Sequence, residues 1–134
     1  MMRLVIDTNK LFTFFWKGSL IKKLSLAGHS LFSPELALEE LDRNKEEIIT
    51  KANISEKEFQ FLKNILKNNV AFIPFEKYHE HIPRALELLK DNAKDIDFLA
   101  LAMYLRSPII SDDRELKNQS EIRVFNNEEL GELI

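Results

Sequence analysis

Short apolar segments alternate with helical segments along this chain, and that alternation constrains the fold more than any other feature. Strands are predicted at Arg3–Ile6, 31–32, 70–75, 108–111 and 122–125. Helices are predicted at 20–26, from 33–34 to about 51, and at 55–68, 83–89, 95–105 and 127–134. Strands joined by helices form a parallel sheet that is covered on both faces. We therefore expect one α/β domain over residues 1–134, a three-layer α/β/α sandwich with a mainly parallel central sheet.

Local signals place several of the helix boundaries. Ser33 and Pro34 are typical of an N-cap followed by a proline in the first helical turn. Ser55 and Glu58 have the spacing of a capping box. A polar turn is predicted at 90–94, before the apolar helix at 95–105.

The composition excludes several classes of protein. The chain has no cysteine, which removes disulfides, zinc–thiolate sites and thiol catalysis. No apolar run approaches the ~20 residues that span a bilayer, and the N-terminus does not resemble a signal peptide. We expect a cytoplasmic protein with no membrane partner. The net charge of −3 neither supports nor excludes a polyanionic substrate, because bound cations would neutralise a cluster of acids.

Carboxylates stand at the ends of four apolar segments. They are Asp7, the pair Glu39 and Glu40, the pair Asp95 and Asp97, and the pair Asp112 and Asp113. In parallel sheets, function collects at the carboxyl ends of the strands, so these acids are expected to face one crevice. Carboxylates without cysteine or histidine partners are ligands for Mg²⁺ or Mn²⁺.

A cluster of this kind needs cations. Bringing carboxylates within ~5 Å costs roughly 3 kcal/mol per neighbouring pair at an effective dielectric of 20. One or two bound ions would remove that cost, polarise a phosphate and activate water without a histidine base. The pattern predicts hydrolysis of phosphodiesters by metal-activated water.

The residue pattern leaves several choices open. Asp7 and Asp95 each have the alternative role of a helix N-cap. Glu39 and Glu40 flank the same apolar stripe, so helical periodicity does not choose between them. Strand alternation puts Asp112 and Asp113 on opposite sides, so that one of the two is expected to be the ligand.

These motifs resemble those of the PIN-domain family, metal-dependent ribonucleases that include the VapC-type toxins of toxin–antitoxin pairs. The resemblance covers essentially the whole chain. It rests on four motifs, which are Asp7-Thr8-Asn9, Ala37-Leu38-Glu39-Glu40-Leu41, Asp95 with Phe98, Leu99 and Ala102, and Ser111-x-Asp113-x-x-Leu116.

The resemblance implies a role for each residue. Asp7, Glu40, Asp95 and Asp113 would be the catalytic metal ligands for Mg²⁺ or Mn²⁺, and Thr8, Asn9, Asp97, Ser111 and Asp112 would support them. Arg114 is the candidate for a substrate phosphate contact. RNA would be the substrate, and the partners would be an antitoxin and a second copy of the chain.

Two other functions are weighed against this one. The first is a PIN fold without turnover that binds RNA or serves in an assembly, and retention of all four acids argues against it. The second is a metal-dependent phosphatase of the haloacid-dehalogenase type. Such a phosphatase needs a second Asp two residues after the first, and this chain has Asn9 there.

Overall fold

The computed structural model describes residues 1–16, 19–90 and 93–134, and its strands form one sheet in which all pairs are parallel. The strands are β1 (Arg3–Ile6), β2 (Ser30–Pro34), β3 (Val70–Ile73), β4 (Ile109–Ile110) and β5 (Val124–Phe125). Their order across the sheet is β3-β2-β1-β4-β5.

Helices connect these strands. They are α1 (Thr8–Thr13), α2 (Ser19–Leu26), α3 (Leu36–Arg43), α4 (Lys45–Ala52), α5 (Glu56–Asn69), α6 (Phe75–Tyr78), α7 (Ile82–Leu89), α8 (Ile96–Leu105) and α9 (Arg114–Asn118). Short 3₁₀ turns lie at His79–His81, Ala93–Asp95 and Asn127–Glu132.

The strand order divides the helices between two layers. The chain runs from β1 through β2 to β3 in one direction, and then crosses back to β4 on the other side of β1. Because such crossovers are right-handed, the helices between β1 and β3 cover one face of the sheet, and α6 to α8 cover the other. The direction reverses between β1 and β4, and a crevice forms at the carboxyl ends of strands at such a point. The predicted three-layer fold is confirmed.

The core lies on both faces of β1 and around α8. Leu4, Val5 and Ile6 are fully buried, as expected for a central strand of a parallel sheet. Helix α8 packs against β1, β2 and β4 on one side and against α6 and α7 on the other. This helix is apolar nearly all round because it is enclosed by these neighbours.

The prediction that Ser33 and Pro34 open a helix is wrong. Both residues belong to β2, where Ser33 pairs with Phe72 and Pro34 with Ile73. The Ser33 hydroxyl is buried and donates to the Ile6 carbonyl at 2.9 Å, so it ties two strands together and caps no helix.

Other boundaries also differ from the sequence prediction. The helix expected to reach about residue 51 is divided at Asn44, whose side-chain amide donates to the Glu40 carbonyl at 2.8 Å. Strand β3 ends at Ile73, and Phe75 begins a helix. The predicted terminal helix is a 3₁₀ turn at Asn127–Glu132.

Two further predictions have separate outcomes. The capping box of Ser55 and Glu58 is confirmed in both of its hydrogen bonds. Residues 91–92 of the predicted polar turn at 90–94 lie outside the described residues.

Within the part of the chain that the structure describes, none of the helices has the length and apolar character that crossing a bilayer requires.

Candidate active site

Four carboxylates from separate segments line one cavity of about 140 Å³. Asp7 follows β1, Glu40 lies in α3, Asp95 ends the 3₁₀ turn before α8, and Asp113 precedes α9. The first and last of these flank the point between β1 and β4 where the strand order reverses. The cavity is completed by Thr8, Asn9, Phe12, Asn44, Lys94 and Phe98.

Asp7 is held in place by the elements around it. One carboxylate oxygen accepts from the Lys10 backbone N–H at 2.9 Å, which caps α1. The other oxygen accepts from the hydroxyl of Ser111, which in turn accepts from the Asp113 N–H at 3.1 Å. Burial raises the pKa of Asp7 above its usual value, although the hydrogen bonds from Ser111 and Lys10 act in the opposite direction. The Asp7 side chain therefore both caps α1 and lines the cavity.

Asp95 is a neighbour of Asp113 in the cavity, and a hydrogen bond from its carboxyl group lowers the pKa of Asp113. Asp95 is only 7% exposed. It stands at the N-cap position of α8, but its side chain makes no capping hydrogen bond there. Asp113 also caps α9, because one oxygen accepts from the N–H groups of Glu115 and Leu116. Ionisation of both neighbouring carboxyl groups is unfavourable, and a shared proton or a bound cation would remove this cost.

Several groups act on the pKa of Asp113. Burial raises it, but the hydrogen bond from Asp95, the backbone N–H groups and the nearby Lys94 together bring it below the usual value. The Lys94 ammonium lies 3.6 Å from an Asp113 oxygen, and its side chain is 74% exposed. Lys94 is thus a cation at the rim of the acidic cavity.

The structure distinguishes Glu40 from Glu39. Glu40 is half-buried and lines the cavity, whereas Glu39 is exposed. The Thr8 hydroxyl donates to Glu40 Oε1 at 3.4 Å. Burial raises the pKa of Glu40, the Thr8 hydrogen bond lowers it, and the negative charges of Asp97 and Asp7 raise it further.

Asp97 binds a residue outside the acidic cavity. It accepts a hydrogen bond of 2.5 Å from the hydroxyl of Tyr78, whose side chain is almost completely buried. Asp97 does not line the acidic cavity, and it influences the site through the charge that acts on Glu40. It anchors α8 to α6.

Asp112 points to a second group of residues, one that sequence reasoning missed. Its carboxylate accepts from the Lys10 ammonium at 2.5 Å and from the Asn127 N–H at 2.8 Å. Lys10 is only 7% exposed. The available sequence signal was a lysine three residues after Asp7 and followed by apolar residues, a spacing that puts both side chains on one face if the segment is helical.

Arg114 lies outside the acidic cavity. It is exposed and lines a separate depression of about 240 Å³ with Lys94, Asp113 and Glu115. A phosphate contact from this position would lie at the rim of the site.

The residues around the acidic cavity fit a hard divalent cation by their chemistry. The carboxylates offer oxygen ligands, which such cations prefer, and a bound cation would relieve the repulsion between neighbouring carboxylates. Among the described residues, however, no three His, Cys, Asp or Glu side chains already form a metal-binding group. The carboxylates surround the cavity without forming a closed set of ligands.

Comparisons with known proteins agree with this architecture. The sequence model of the PIN domain matches residues 5–124. No curated protein matches the chain at a significant level.

Two solved structures share the fold. One is VapBC2 from Rickettsia felis bound to a DNA fragment from their promoter, with 17% identity, a TM-score of 0.71, and coverage of 93% of this chain and 98% of that one. The other is DNA-bound VapBC from Salmonella typhimurium, with 14% identity, a TM-score of 0.66, and coverage of 94% of this chain and 98% of that one. At these identities the likeness concerns the fold.

Proposed function

Because this chain belongs to the PIN-domain family, we propose that it is an endoribonuclease that depends on Mg²⁺ or Mn²⁺. The observation that carries the proposal is the cavity at the β1/β4 reversal, which four carboxylates from distant parts of the chain line together. Asp7, Glu40, Asp95 and Asp113 would hold one or two ions. A bound ion would polarise the phosphate, lower the pKa of a water molecule and stabilise the leaving oxygen.

The chain's own residues prepare the site for this chemistry. The Ser111 hydroxyl bridges the Asp7 carboxylate and the Asp113 backbone, and thereby fixes the ends of β1 and β4 relative to each other. Thr8 orients Glu40. Such supporting contacts typically change metal affinity or activity by 10- to 100-fold when they are removed.

Cations at the rim would position the RNA backbone. Lys94 and Arg114 line the same depression beside Asp113. Phosphate contacts from Lys and Arg supply most of the sequence-independent affinity for nucleic acid, and this affinity falls as salt rises. We assign Lys94 and Arg114 this role.

The partners follow from the same proposal. The likeness to the VapBC structures supports a VapC-type toxin that is restrained by an antitoxin protein, and a homodimer is the expected assembly. Co-expression with the product of a neighbouring small reading frame tests the antitoxin, and sedimentation tests the dimer.

The decisive experiment compares single carboxylate replacements. Purified wild type, Asp7→Asn and Asp113→Asn are incubated with mixed RNAs in Mn²⁺ and in EDTA. Cleavage by wild type should require the metal and should fall more than about 100-fold in both variants, since loss of a ligand exceeds the effect of losing its support. Asp42→Asn is the matched control, because Asp42 pairs with Lys63 at 2.6 Å on an exposed surface.

Two results would contradict the assignment. Undiminished cleavage by both Asp7→Asn and Asp113→Asn, with circular dichroism showing folded protein, would reject these acids as the catalytic centre. RNA binding without any metal-dependent cleavage by wild type would favour the alternative of a PIN fold that binds RNA and has no turnover.

A further inference from the structure

A second and larger cavity adjoins the acidic one. Its volume is about 410 Å³, which is in the range of small-molecule sites. Asp7, Asn9 and Asp113 line both cavities. A ligand in the larger cavity would therefore lie directly beside the carboxylates.

One wall of this cavity is polar and held in a fixed position. The buried Lys10 ammonium donates to Asp112 Oδ2 and to Asn127 Oδ1, each at 2.5 Å. The Asn127 backbone N–H donates to the other Asp112 oxygen at 2.8 Å. The three side chains come from α1, from the segment after β4 and from the 3₁₀ turn that follows β5. Their mutual contacts determine where the ammonium and the amide stand.

The remaining wall is largely apolar. It is formed by Phe14, Leu20, Ile21 and Leu130, with the Thr13 side chain beside them. Phe14 and Ile21 belong to the core, whereas Leu20 and Leu130 are partly exposed. The cavity thus combines an apolar surface with a polar edge.

We infer that this cavity binds the base of a nucleotide adjacent to the scissile phosphate. A nucleobase has apolar faces and a polar edge, and bases of single-stranded RNA are read by stacking and by hydrogen bonds to their edges. The apolar wall receives the face, and Asn127 and Lys10 meet the edge. This inference rests on the proposed ribonuclease function, because it places the base next to the phosphate that the carboxylates act on.

A binding measurement tests the pocket without requiring cleavage. Affinities of a nucleoside 5′-monophosphate and of ribose 5-phosphate are compared by NMR titration in EDTA, so that metal binding does not contribute. Wild type should bind the nucleotide at least tenfold more tightly than the sugar phosphate. Leu130→Trp fills the cavity and should remove that difference.

Controls separate filling of the cavity from general damage. Leu20→Trp fills it from α2 and should act like Leu130→Trp, so a folding defect in one variant leaves the other to decide. Leu86→Trp makes the same change on the exposed side of α7, where the side chain is 46% exposed, and should retain the wild-type preference. Equal affinities for the two ligands in wild type, or a preference that survives in a folded cavity-filling variant, would overturn the inference.

Cleavage of modified RNA then connects the pocket to the reaction. Oligonucleotides of one sequence carry a single abasic ribose on either side of the cleavage site. For wild type, an abasic ribose at one of these two positions should raise KM at least tenfold. For Leu130→Trp, an abasic ribose at the same position should leave KM unchanged. Cleavage that ignores both abasic positions would overturn the inference and leave the nuclease assignment intact. A wild type that cleaves no RNA would reject the nuclease assignment, and the nucleotide titration would still decide the pocket.

Discussion

Replacing Tyr78 by Phe should lower the stability of the protein while leaving its packing intact. The hydroxyl of Tyr78 donates to Asp97 at 2.5 Å, and the side chain is only 1% exposed. The substitution retains the ring and its contact with Phe75, in which the ring centroids are 5.6 Å apart. No cavity larger than one oxygen atom is created, so the measured change reports the hydrogen bond.

The structure allows the size of the effect to be worked out. A hydrogen bond to a charged group contributes about 1.5–3 kcal/mol to stability. Asp97 is partly exposed, so water replaces some of the lost interaction and the lower figure, about 1.5 kcal/mol, applies. With an unfolding entropy of about 2.1 cal/mol/K per residue, a chain of this length should lose about 5 °C in Tm.

Urea and thermal unfolding of wild type, Tyr78→Phe and Tyr104→Phe measure this difference. Tyr104 is the only other tyrosine in the sequence and is 43% exposed, so its variant should unfold within about 0.5 kcal/mol of wild type. A loss below 0.5 kcal/mol in Tyr78→Phe, or equal losses in the two variants, would refute the anchoring role.

The same pair of residues predicts a dependence on alkaline pH. Burial raises the pKa of Tyr78, and the hydrogen bond to Asp97 raises it further. The folded state therefore keeps a proton that the unfolded state loses above about pH 10. The stability that this group contributes is present below that pH and is lost as the pH rises. The advantage of wild type over Tyr78→Phe should shrink above pH 10.

The remaining predictions concern the charged groups around the site. Lys10→Met should cost about 1–2 kcal/mol in urea unfolding, because the Lys10 side chain is only 9% exposed, although its partner Asp112 is 47% exposed. Lys45→Met, in an exposed pair with Glu56, is the control and should unfold close to wild type. Burial raises the pKa of Asp112, but hydrogen bonds from Lys10 and the Asn127 N–H bring it below 3.8. The loss in Lys10→Met should therefore be full at neutral pH and fade as the pH falls below 3.8; a loss independent of pH would contradict the pairing. Mn²⁺ at 100 times its Kd should raise the free energy of unfolding of wild type by about 2.7 kcal/mol, and EDTA should reverse this effect. Equal stabilisation of Asp113→Asn would exclude Asp113 as a ligand.

The fold was predictable because its signals are local. An apolar run that ends at a polar residue indicates a buried strand wherever it occurs, and strands joined by helices must form a parallel sheet. The position of Asp7 and Asp113 at one edge follows from that arrangement alone. Metal binding by these acids stays a prediction.

The error at Ser33 arose because a local signal competed with a distant partner. Ser33 has the chemistry of a helix N-cap, yet its hydroxyl donates to the Ile6 carbonyl on the neighbouring strand. No pattern within a few residues of Ser33 reports that neighbour. The division of the next helix involves a local contact instead: the Asn44 side-chain amide donates to the Glu40 carbonyl where α3 ends and α4 begins.

The sequence by itself determined the parallel α/β architecture, the family and the edge of the sheet at which the acids stand. Residue patterns left the choice within each acidic pair open; the family resemblance named Glu40, Asp95 and Asp113, and the tertiary structure places these three at the cavity. Only the tertiary structure decided that Tyr78 holds Asp97 and that Lys10 is buried beside Asp112. The physical reason is that periodicity specifies which residues share a face, whereas the rotation of each helix against its neighbours specifies what that face meets. Lys10 and Asp112 are 102 residues apart in the chain, so their contact exists only after the sheet has brought β1 and β4 together.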